Sequence, residues 1–271
     1  MAQGGGGLMV SVSGIRGRVG DALTPEVVAR YASAFGAWCL AQGGSRQIVV
    51  GRDSRVSGPM FHRIVVGTLQ LMGCDVIDIG LTTTPGCQLA VEHHHAAGAV
   101  MLSASHNPIE WNALKLIGST GLFLEASQGA AMRSLLETGF QTAPWDRIGT
   151  VTCDTDVAAR HVATVLAIPY INVEAIRRRR FKVALDCVRG AGATVMPALL
   201  GALGCEVVAI NMEPDGRFPR EPEPIPENLG ALEALVKESG ADIGMGIDGQ
   251  GDRHSMSSDR SMISRIFSVL R

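Results

Sequence analysis

A strand of the buried type ends in small polar residues in the stretch Gly98-Ala-Val-Met-Leu-Ser-Ala-Ser-His-Asn-Pro108. The small and apolar residues at its start predict a strand inside a sheet that is flanked by helices. Its polar end places a hydroxyl beside an imidazole and backbone N–H groups. Because open α/β sheets bind ligands at the carboxyl ends of their strands, the stretch predicts both an α/β fold and a functional site. A polar loop with an Asn-Pro turn is the alternative.

Short apolar runs alternate with longer amphipathic stretches around this strand, which predicts βαβ units in a layered α/β fold. A helix is expected from Thr24, an N-cap followed by Pro25, to about Ala41. A second helix is expected over 59–73, where apolar residues recur near helical spacing. The strands predicted for this first unit are Gln47 to Val50, Asp75 to Ile79, Gly98 to Leu102 and Leu114 to Ile117. From 118 to 154 the pattern pauses, and no regular element is predicted.

A second α/β unit follows, and the boundary is expected near 155. A helix from Asp156 links the two units, and the stretch 215–226, with four prolines, is expected to be irregular. The elements predicted for the second unit are a strand at Phe181 to Asp186, a turn and helix at Gly190 to Leu203, a strand at Cys205 to Ile210, a helix at Leu229 to Ser239 and a strand at Asp242 to Ile247. The domains are expected to span 1–155 and 156–271, with an atypical, serine-rich tail from 254.

Composition excludes several classes of protein. The 271 residues are 46% hydrophobic without a long uninterrupted apolar run, which excludes disordered, collagen-like and membrane-spanning chains. The net charge of −2 provides no field that would attract nucleic acid or an anionic membrane. The six cysteines are at least thirteen positions apart, so zinc-binding pairs are missing and buried thiols are expected. Residues 1–7 show neither a basic region nor an apolar signal core, which predicts a cytoplasmic protein.

Three further segments carry residues suited to phosphate or metal chemistry. The loop Asp248-Gly-Gln-Gly-Asp-Arg253 follows an apolar strand, and its two carboxylates, four positions apart, can converge on a divalent cation. Arginines beside glycines occur in Ser13-Gly-Ile-Arg-Gly17 and Gly51-Arg-Asp-Ser-Arg55, where they suit bidentate recognition of phosphate or carboxylate. For each segment taken alone, a surface turn with solvated side chains is the alternative.

Together these segments resemble the motifs of the α-D-phosphohexomutase superfamily, which includes phosphoglucomutase, phosphomannomutase and phosphoglucosamine mutase. The stretch from Ser103 to Pro108 is similar to its phosphoserine loop, and 248–253 is similar to its D-x-D-x-D-R metal loop. The other similar segments, in the family's order, are Ser13 to Gly17, Gly51 to Arg55, Thr83 to Pro85, Trp111 to Lys115, Asp215 to Pro219 and Pro226 to Asn228. The resemblance covers about residues 10–253 and implies two consecutive three-layer α/β domains with mixed sheets, the family's third and fourth domains being absent.

The resemblance also implies a chemistry, in which a phosphorylated serine passes its phosphoryl group to a hexose phosphate and recovers one from the bisphosphate. It assigns catalysis to Ser105, His106, Lys115 and Arg16. It places Mg²⁺ between Ser105, Asp248, Gln250 and Asp252, and it assigns support of the phosphate to Arg52, Asn107 and Arg253. The implied partner is a hexose phosphate, without nucleic acid or membrane, and the oligomeric state stays open. The amino-acid sequences of segments 11–16 and 111–115 are most similar to those of phosphoglucosamine mutases.

Two departures from the family pattern bear on activity. Position 250 is Gln where the family has its middle Asp, so one negative charge is lost and weaker Mg²⁺ binding is expected. The family continues past its metal loop with an apolar strand and two domains that bind the sugar and its phosphate, whereas this chain continues with His254-Ser-Met-Ser-Ser258 and stops at Arg271. We therefore expect a truncated, impaired enzyme, such as a frameshift near His254 would produce, with exposed apolar surface and poor solubility.

Weaker patterns favour ordinary structure. Gly190-Ala-Gly192 follows a strand, but Val195 stands where a dinucleotide fingerprint needs glycine or alanine, so a strand-to-helix turn is expected. The runs 93–95 (His) and 177–180 (Arg) are expected at solvated helix ends. The alternatives to an enzyme acting on glucosamine phosphate are a phosphomannomutase or phosphoglucomutase, and a non-catalytic remnant that binds phosphate or a protein partner. A metal-dependent phosphatase is not favoured, because no aspartyl nucleophile has the expected setting.

Overall fold

The computed structural model describes residues 7–252 and 254–257, which form two α/β units with one sheet each. The strands of the first unit are β1 (Met9–Ser11), β2 (Gly14–Arg18), β3 (Gln47–Arg52), β4 (Asp75–Leu81), β5 (Gly98–Leu102), β6 (Trp111–Gly118) and β7 (Val151–Cys153). The helices that pack on this sheet are α1 (Pro25–Ala41), α2 (Gly58–Leu71), α3 (Thr84–His94), α4 (Ala126–Thr138) and α5 (Val157–Leu166).

The second unit follows helix α5. Its strands are β8 (Lys182–Asp186), β9 (Glu206–Ile210), β10 (Ile243–Ile247) and β11 (His254–Ser257). Its helices are α6 (Val173–Arg179), α7 (Met196–Ala202) and α8 (Gly230–Ser239). Short 3₁₀ turns lie at Trp145–Arg147, Ala191–Thr194 and Pro226–Asn228.

The seven-stranded sheet is mixed and has the strand order β1-β2-β6-β5-β3-β4-β7. Strand β3 pairs in parallel with β4 and β5, while β6 pairs antiparallel with β5 and β2. Side chains alternate between the two faces, so Val50 and Leu102 pack with α1, α2 and α4, whereas Val49 and Met101 pack with α3 and α5. The prediction of a buried strand at Gly98–Leu102 is confirmed, because β5 lies at the centre and is covered on both faces.

The four-stranded sheet has the order β11-β10-β8-β9, in which β8 is parallel to β10 and β9, and β11 is antiparallel to β10. Leu185 packs with Leu200 on the α7 side of this sheet, and Ala184 packs with Leu232 on the α8 side. Two three-layer α/β units with mixed sheets are therefore present, as the sequence predicts.

The element boundaries show where sequence patterns succeed and fail. Helix α1 confirms its predicted limits, since Thr24 Oγ1 accepts a hydrogen bond from Val27 N (3.4 Å) and the helix ends at Ala41. Over 118–154, where the sequence pattern pauses and predicts no element, the structure has α4 and β7. Helix α4 buries only Gly129 and Met132, and all three residues of β7 are exposed, so neither element shows an apolar period.

The change of composition at 254 does not end the second sheet. Strand β11 pairs with β10, with Ile247 opposite His254 and Gly244 opposite Ser257. An edge strand is held by backbone hydrogen bonds along one side, so a serine-rich segment can form it without an apolar period. The rest of the atypical tail, 258–271, lies outside the described residues.

The weaker sequence patterns mostly behave as predicted. Helix α6 ends in three arginines, and a 3₁₀ turn leads from β8 towards α7, which confirms the predicted helix end and strand-to-helix turn. The solvated position expected for the histidine run is wrong for His94, whose Nε2 lies 2.7 Å from Asp154 Oδ2 with the side chain only one quarter exposed. All six cysteines are free thiols, and four of them are buried.

Two surface properties bear on the sequence predictions. No helix within 7–252 or 254–257 is long and apolar enough to cross a membrane. Trp145 and Tyr170 are 87% and 88% exposed. Poor solubility of the chain stays a prediction.

Candidate active site

The loop 103–108 leaves the centre of the first sheet directly after β5. Ser105 has a φ of +57°, in the left-handed region that residues other than glycine rarely adopt. Ser103 Oγ accepts a hydrogen bond from Ser105 N (3.1 Å), and Ala104 O accepts one from Asn107 N (3.1 Å). Backbone strain of this kind costs about 1–3 kcal/mol and is concentrated at functional sites. The loop thus presents the Ser105 hydroxyl at the carboxyl end of β5.

A fully buried arginine, Arg55, holds this loop in place. Its guanidinium donates hydrogen bonds to the carbonyl oxygens of Ser105 (2.8 Å), Asn107 (2.6 Å), Pro108 (2.7 Å) and Trp111 (2.9 Å). Its Nε lies 3.2 Å from Oδ2 of Asp53, which is also fully buried. Burial raises the pKa of Asp53, and the positive charge of Arg55 opposes the rise. One side chain therefore satisfies four carbonyl groups of the loop and the start of β6.

Gln250 reaches from the second unit into the first and contacts Ser105 directly. Its Nε2 donates a hydrogen bond to Ser105 Oγ (2.9 Å), and its Oε1 accepts hydrogen bonds from Ser103 Oγ and Thr84 Oγ1 (3.2 Å each). Lys115 Nζ donates to the same Oε1. Since Gln250 is 1% exposed, its amide forms a buried bridge between the hydroxyl of Ser105 and the ammonium group of Lys115.

The loop around Gln250 is shaped by one carboxylate and by close backbone packing. Asp248 is fully buried, and its Oδ1 accepts hydrogen bonds from Gly251 N (2.8 Å) and Asp252 N (3.1 Å). Asp252 itself is exposed. A Cβ at Gly190 would lie 2.8 Å from a backbone oxygen of this loop, so glycine is needed where the two turns meet.

A cleft of about 280 Å³ opens beside Ser105 and is lined by residues of the paired strands β2 and β6. Its volume is near the lower end of the range for small-molecule sites. Two cations line it: Lys115, whose Nζ lies 5.7 Å from the centre of the Phe123 ring, and Arg16, whose Nη1 lies 3.5 Å from Asn107 Oδ1. The cleft therefore brings positive charge next to the Ser105 hydroxyl, which suits a phosphate group.

His106 lies between Ser105 and the proline-rich stretch of the second unit. Its Nδ1 is 3.2 Å from Ser105 Oγ, and its Nε2 is 4.0 Å from Glu223 Oε1. A carboxylate near the far nitrogen of an imidazole favours proton acceptance at the near nitrogen. His106 Nδ1 is thus close enough to take a proton from the serine hydroxyl or to return one to it.

Contacts between the two units surround this site. Ser54 Oγ donates a hydrogen bond to Arg189 O (2.8 Å), and the guanidinium carbon of Arg55 lies 5.2 Å from the centre of the Phe218 ring. A Cβ at Gly216 would lie 2.1 Å from Ser54 O, so the units are in backbone contact there. The site is therefore assembled at the junction of the two units.

Two family models match the chain. The model for phosphoglucomutase/phosphomannomutase alpha/beta/alpha domain I matches residues 8–142, and the model for domain II matches residues 159–261. The chain belongs to the phosphoglucomutase/phosphomannomutase family. The resemblance of its motifs to those of the phosphohexomutase superfamily is therefore confirmed at the level of the family, together with the two α/β domains.

Relatives and solved structures of the family agree with this assignment. A phosphoglucomutase/phosphomannomutase of Thermococcus kodakarensis is 39% identical over 250 residues, which are 91% of this chain and 54% of the relative. A probable phosphoglucosamine mutase of Methanopyrus kandleri is 38% identical over 91% of this chain and 53% of the relative. A crystal structure of a putative phosphomannomutase from Thermus thermophilus has a TM-score of 0.82 at 28% identity, over 93% of this chain and 57% of that chain. The chain spans about half the length of the curated relatives that it matches.

Most of the predicted site residues lie together. His106 and Gln250 contact Ser105, and Asn107 and Asp248 lie in the same two loops. Arg16 and Lys115 reach these loops from β2 and β6, and they line the same cleft as Ser105. Asp252 lies at the exposed edge of its loop, and Arg253 lies outside the described residues. Arg52 donates to Asp53 O (3.1 Å) and lies beside Gly58, so its described contacts do not lead to Ser105. Burial lowers the pKa of this Arg52 side chain.

Sequence reasoning missed four residues that contact the site, which are Arg55, Ser103, Thr84 and Glu223. The first three belong to segments that resemble the family, but no role was predicted for them. An aspartate two positions before Arg55 was the one available sign that this arginine could be buried with a partner. Glu223 lies in an irregular proline-rich stretch, where no periodicity indicates what it faces.

The donor set expected for Mg²⁺ does not fit an ion as these side chains are arranged. Mg²⁺ requires oxygen ligands in nearly ideal octahedral geometry, with carboxylates among them. Gln250 Oε1 accepts a hydrogen bond from the ammonium group of Lys115, Asp248 Oδ1 faces two backbone N–H groups, and Asp252 is exposed. Among the residues that the structure describes, no three His, Cys, Asp or Glu side chains are grouped as metal ligands.

Proposed function

We propose that the chain carries the phosphoserine chemistry of a phosphohexomutase, which interconverts a hexose 6-phosphate and a hexose 1-phosphate through a bisphosphate. The observation that carries this proposal is the position of Ser105 Oγ, which lies beside a cationic cleft and within hydrogen-bonding distance of His106 and Gln250. Glucosamine phosphate is the first substrate that we propose, because several relatives are named probable phosphoglucosamine mutases. Mannose and glucose phosphates are the alternatives, since the relative in Thermococcus kodakarensis is named phosphoglucomutase/phosphomannomutase.

Each half of the reaction moves one phosphoryl group between two oxygens. In the first half, a sugar hydroxyl attacks the phosphorus on Ser105 and loses its proton, while the bond from phosphorus to Ser105 Oγ breaks and that oxygen gains a proton. In the second half, the Ser105 hydroxyl attacks the other phosphate of the bisphosphate and loses its proton, while the bond from phosphorus to the sugar oxygen breaks and that oxygen gains a proton. We assign transfer of the serine proton to His106, whose Nδ1 lies 3.2 Å from Ser105 Oγ.

Phosphoryl transfer depends on positioning of the reacting groups and on neutralising the negative charge of the equatorial oxygens of the transferred phosphoryl group. We assign the neutralising charge to Lys115 and Arg16, which line the cleft from β6 and β2. Asn107 holds Arg16 through its side-chain oxygen, and Arg253 is included on the resemblance alone. Mg²⁺ is left out of this proposal because its expected donors do not fit.

We further propose that this length of chain has little mutase turnover by itself. It covers about half of its curated relatives, and the resemblance assigns sugar recognition to the other half. A non-catalytic module that binds phosphate or a protein partner at the same cleft is the alternative. Domains at 1–155 and 156–271, a cytoplasmic location and the lack of nucleic-acid and membrane partners remain parts of the proposal.

Intact-mass spectrometry tests the phosphoserine directly. After incubation with a hexose 1,6-bisphosphate, the chain is expected to gain the mass of one phosphoryl group. This gain should disappear in Ser105→Ala and persist in Ser119→Ala, a matched control at an exposed serine. A gain that survives in Ser105→Ala would contradict the proposal, and no gain in the unaltered chain would favour the non-catalytic module.

A coupled assay then measures turnover with glucosamine, mannose and glucose phosphates. Turnover near background is expected with all three sugars. Rapid turnover with any of them would overturn the proposed impairment and would also identify the preferred sugar.

A further inference from the structure

We propose that the Gln250 side chain takes the place of the divalent cation at Ser105, bridging the serine oxygen and the Lys115 ammonium so that the site works without Mg²⁺. The phosphoserine role of Ser105 rests on the proposed function, whereas the prediction about metal binding does not. Gln250 is therefore a positioning residue for the phosphate on Ser105. The resemblance of its loop to the family, by contrast, implies a metal ligand at this position.

The orientation of the Gln250 amide follows from its neighbours. A lysine ammonium group donates hydrogen bonds and cannot accept them, so the amide end next to Lys115 Nζ must be the carbonyl oxygen. The N–H end then faces Ser105 Oγ at 2.9 Å. The hydroxyls of Ser103 and Thr84 complete the environment of the carbonyl oxygen. The amide is therefore fixed with a donor on the serine, which is the polarity that a phosphate oxygen on Ser105 requires.

Charge also argues against a cation at this point. An ion that took Gln250 Oε1 as a ligand would lie close to the Lys115 ammonium group, which contacts the same oxygen. Gln250 brings no negative charge to offset this repulsion, and Asp252 is exposed at the edge of the loop. Asp248 is the buried carboxylate of this loop, and its Oδ1 already accepts hydrogen bonds from two backbone N–H groups. The Gln250 amide is also buried, since the residue is 1% exposed, so it cannot move aside without disturbing the contact between the domains.

The ligand class that fits this arrangement is a phosphomonoester dianion without an accompanying metal. Lys115 and Arg16 supply its positive partners, and Gln250 supplies an N–H donor. The substitution Gln250→Asp would favour a metal ion, because its carboxylate would neutralise Lys115 and could act as an oxygen ligand beside Asp248. Gln250→Asp is therefore expected to create a Mg²⁺ site.

Isothermal titration calorimetry of the full chain with MgCl₂ tests the inference. The unaltered chain is expected to show no Mg²⁺ binding that depends on Ser105. Gln250→Asp should bind Mg²⁺ at least about tenfold more tightly than any residual binding by the unaltered chain. The control Gln141→Asp, at an exposed glutamine, should show no gain. Binding by the unaltered chain that is lost in Ser105→Ala would overturn the inference, as would the lack of any gain in both Gln250→Asp and Gln250→Glu.

The phosphoryl uptake measured by intact mass supplies a second readout. Uptake by the unaltered chain is expected to be equal in MgCl₂ and in excess EDTA. Uptake that requires Mg²⁺ would contradict the inference while supporting the phosphoserine. If no uptake occurs under either condition, the proposed function fails, and the calorimetric titration still decides the question of metal binding.

Discussion

The two loops that meet at Ser105 are held in different ways. The loop 103–108 is fixed by a long, fully buried side chain, Arg55, which reaches the carbonyls of three of its residues. The loop 248–252 is fixed by backbone N–H groups on Asp248 and by glycine backbone packed against it at Gly190. The first loop therefore depends on one long side chain of its own domain, and the second depends on its own Asp248 carboxylate and on the absence of a side chain at Gly190.

Removal of the buried guanidinium is expected to have the largest effect on the first loop. Arg55→Met keeps the apolar stem but leaves Asp53 as a buried carboxylate without its ion pair, and four carbonyl groups lose their donor. Breaking a buried pair in this way costs about 3–5 kcal/mol. Urea denaturation should show a loss of that size, and phosphoryl uptake at Ser105 should disappear.

Two variants make this result specific to the buried pair. Arg178→Met removes an exposed arginine and should change the free energy of unfolding by less than about 0.5 kcal/mol. The double variant Asp53→Asn with Arg55→Met should recover part of the loss, because no unpaired buried charge remains. A loss in Arg55→Met no larger than in Arg178→Met would refute the role assigned to Arg55.

A single methyl group should be enough to disturb the second loop. In Gly190→Ala the new Cβ would lie within 3.1 Å of three backbone atoms of residues 248 and 249, none of which can rotate away. The expected loss of stability is about 2–3 kcal/mol, with reduced phosphoryl uptake because Gln250 is carried by the same loop.

The matched control for this methyl group is Gly201→Ala. A Cβ there meets nothing within 4 Å, and the position is inside helix α7. Alanine should therefore stabilise the fold by about 0.5–1 kcal/mol. Thermal unfolding compares the two variants, and a Gly190→Ala protein as stable as the unaltered chain would mean that the second loop adjusts freely.

The sequence predicts these two loops unequally, for a physical reason. The first loop follows β5, whose run of buried residues reveals both the strand and its end. Its support by Arg55 is not predictable, because the contacts join residues about fifty positions apart and follow from packing of the whole sheet. The same holds for Gln250, whose place in a metal-loop motif indicates a ligand, whereas its actual partners Thr84 and Ser103 come from the other domain.

Measurements at low pH compare the two loops at Ser105 with the segment that links the domains. There Asp154 accepts hydrogen bonds from His94, at the end of α3, and from Arg160 in α5. Burial pushes the pKa of Asp154 upward, but these hydrogen bonds and one from Asp156 N together lower it from 3.8 to about 2. Because the folded pKa is the lower one, this stabilisation is present above about pH 4 and is lost as the pH falls towards 2.

The smallest loss of stability is therefore expected in Asp154→Asn, and it should be present only above about pH 4. The free energy of unfolding at pH 7 should fall by about 1–2 kcal/mol, a moderate value because solvent near the surface screens the pair, and the difference from the unaltered chain should vanish near pH 2. Asp146→Asn, at an exposed aspartate, should show no such trend. Phosphoryl uptake at pH 7 should stay unchanged in Asp154→Asn, since neither Arg55 nor Gln250 contacts this cluster. A loss of uptake would show that the loops at Ser105 also depend on the link between the domains, in addition to their own contacts through Arg55, Asp248 and Gly190.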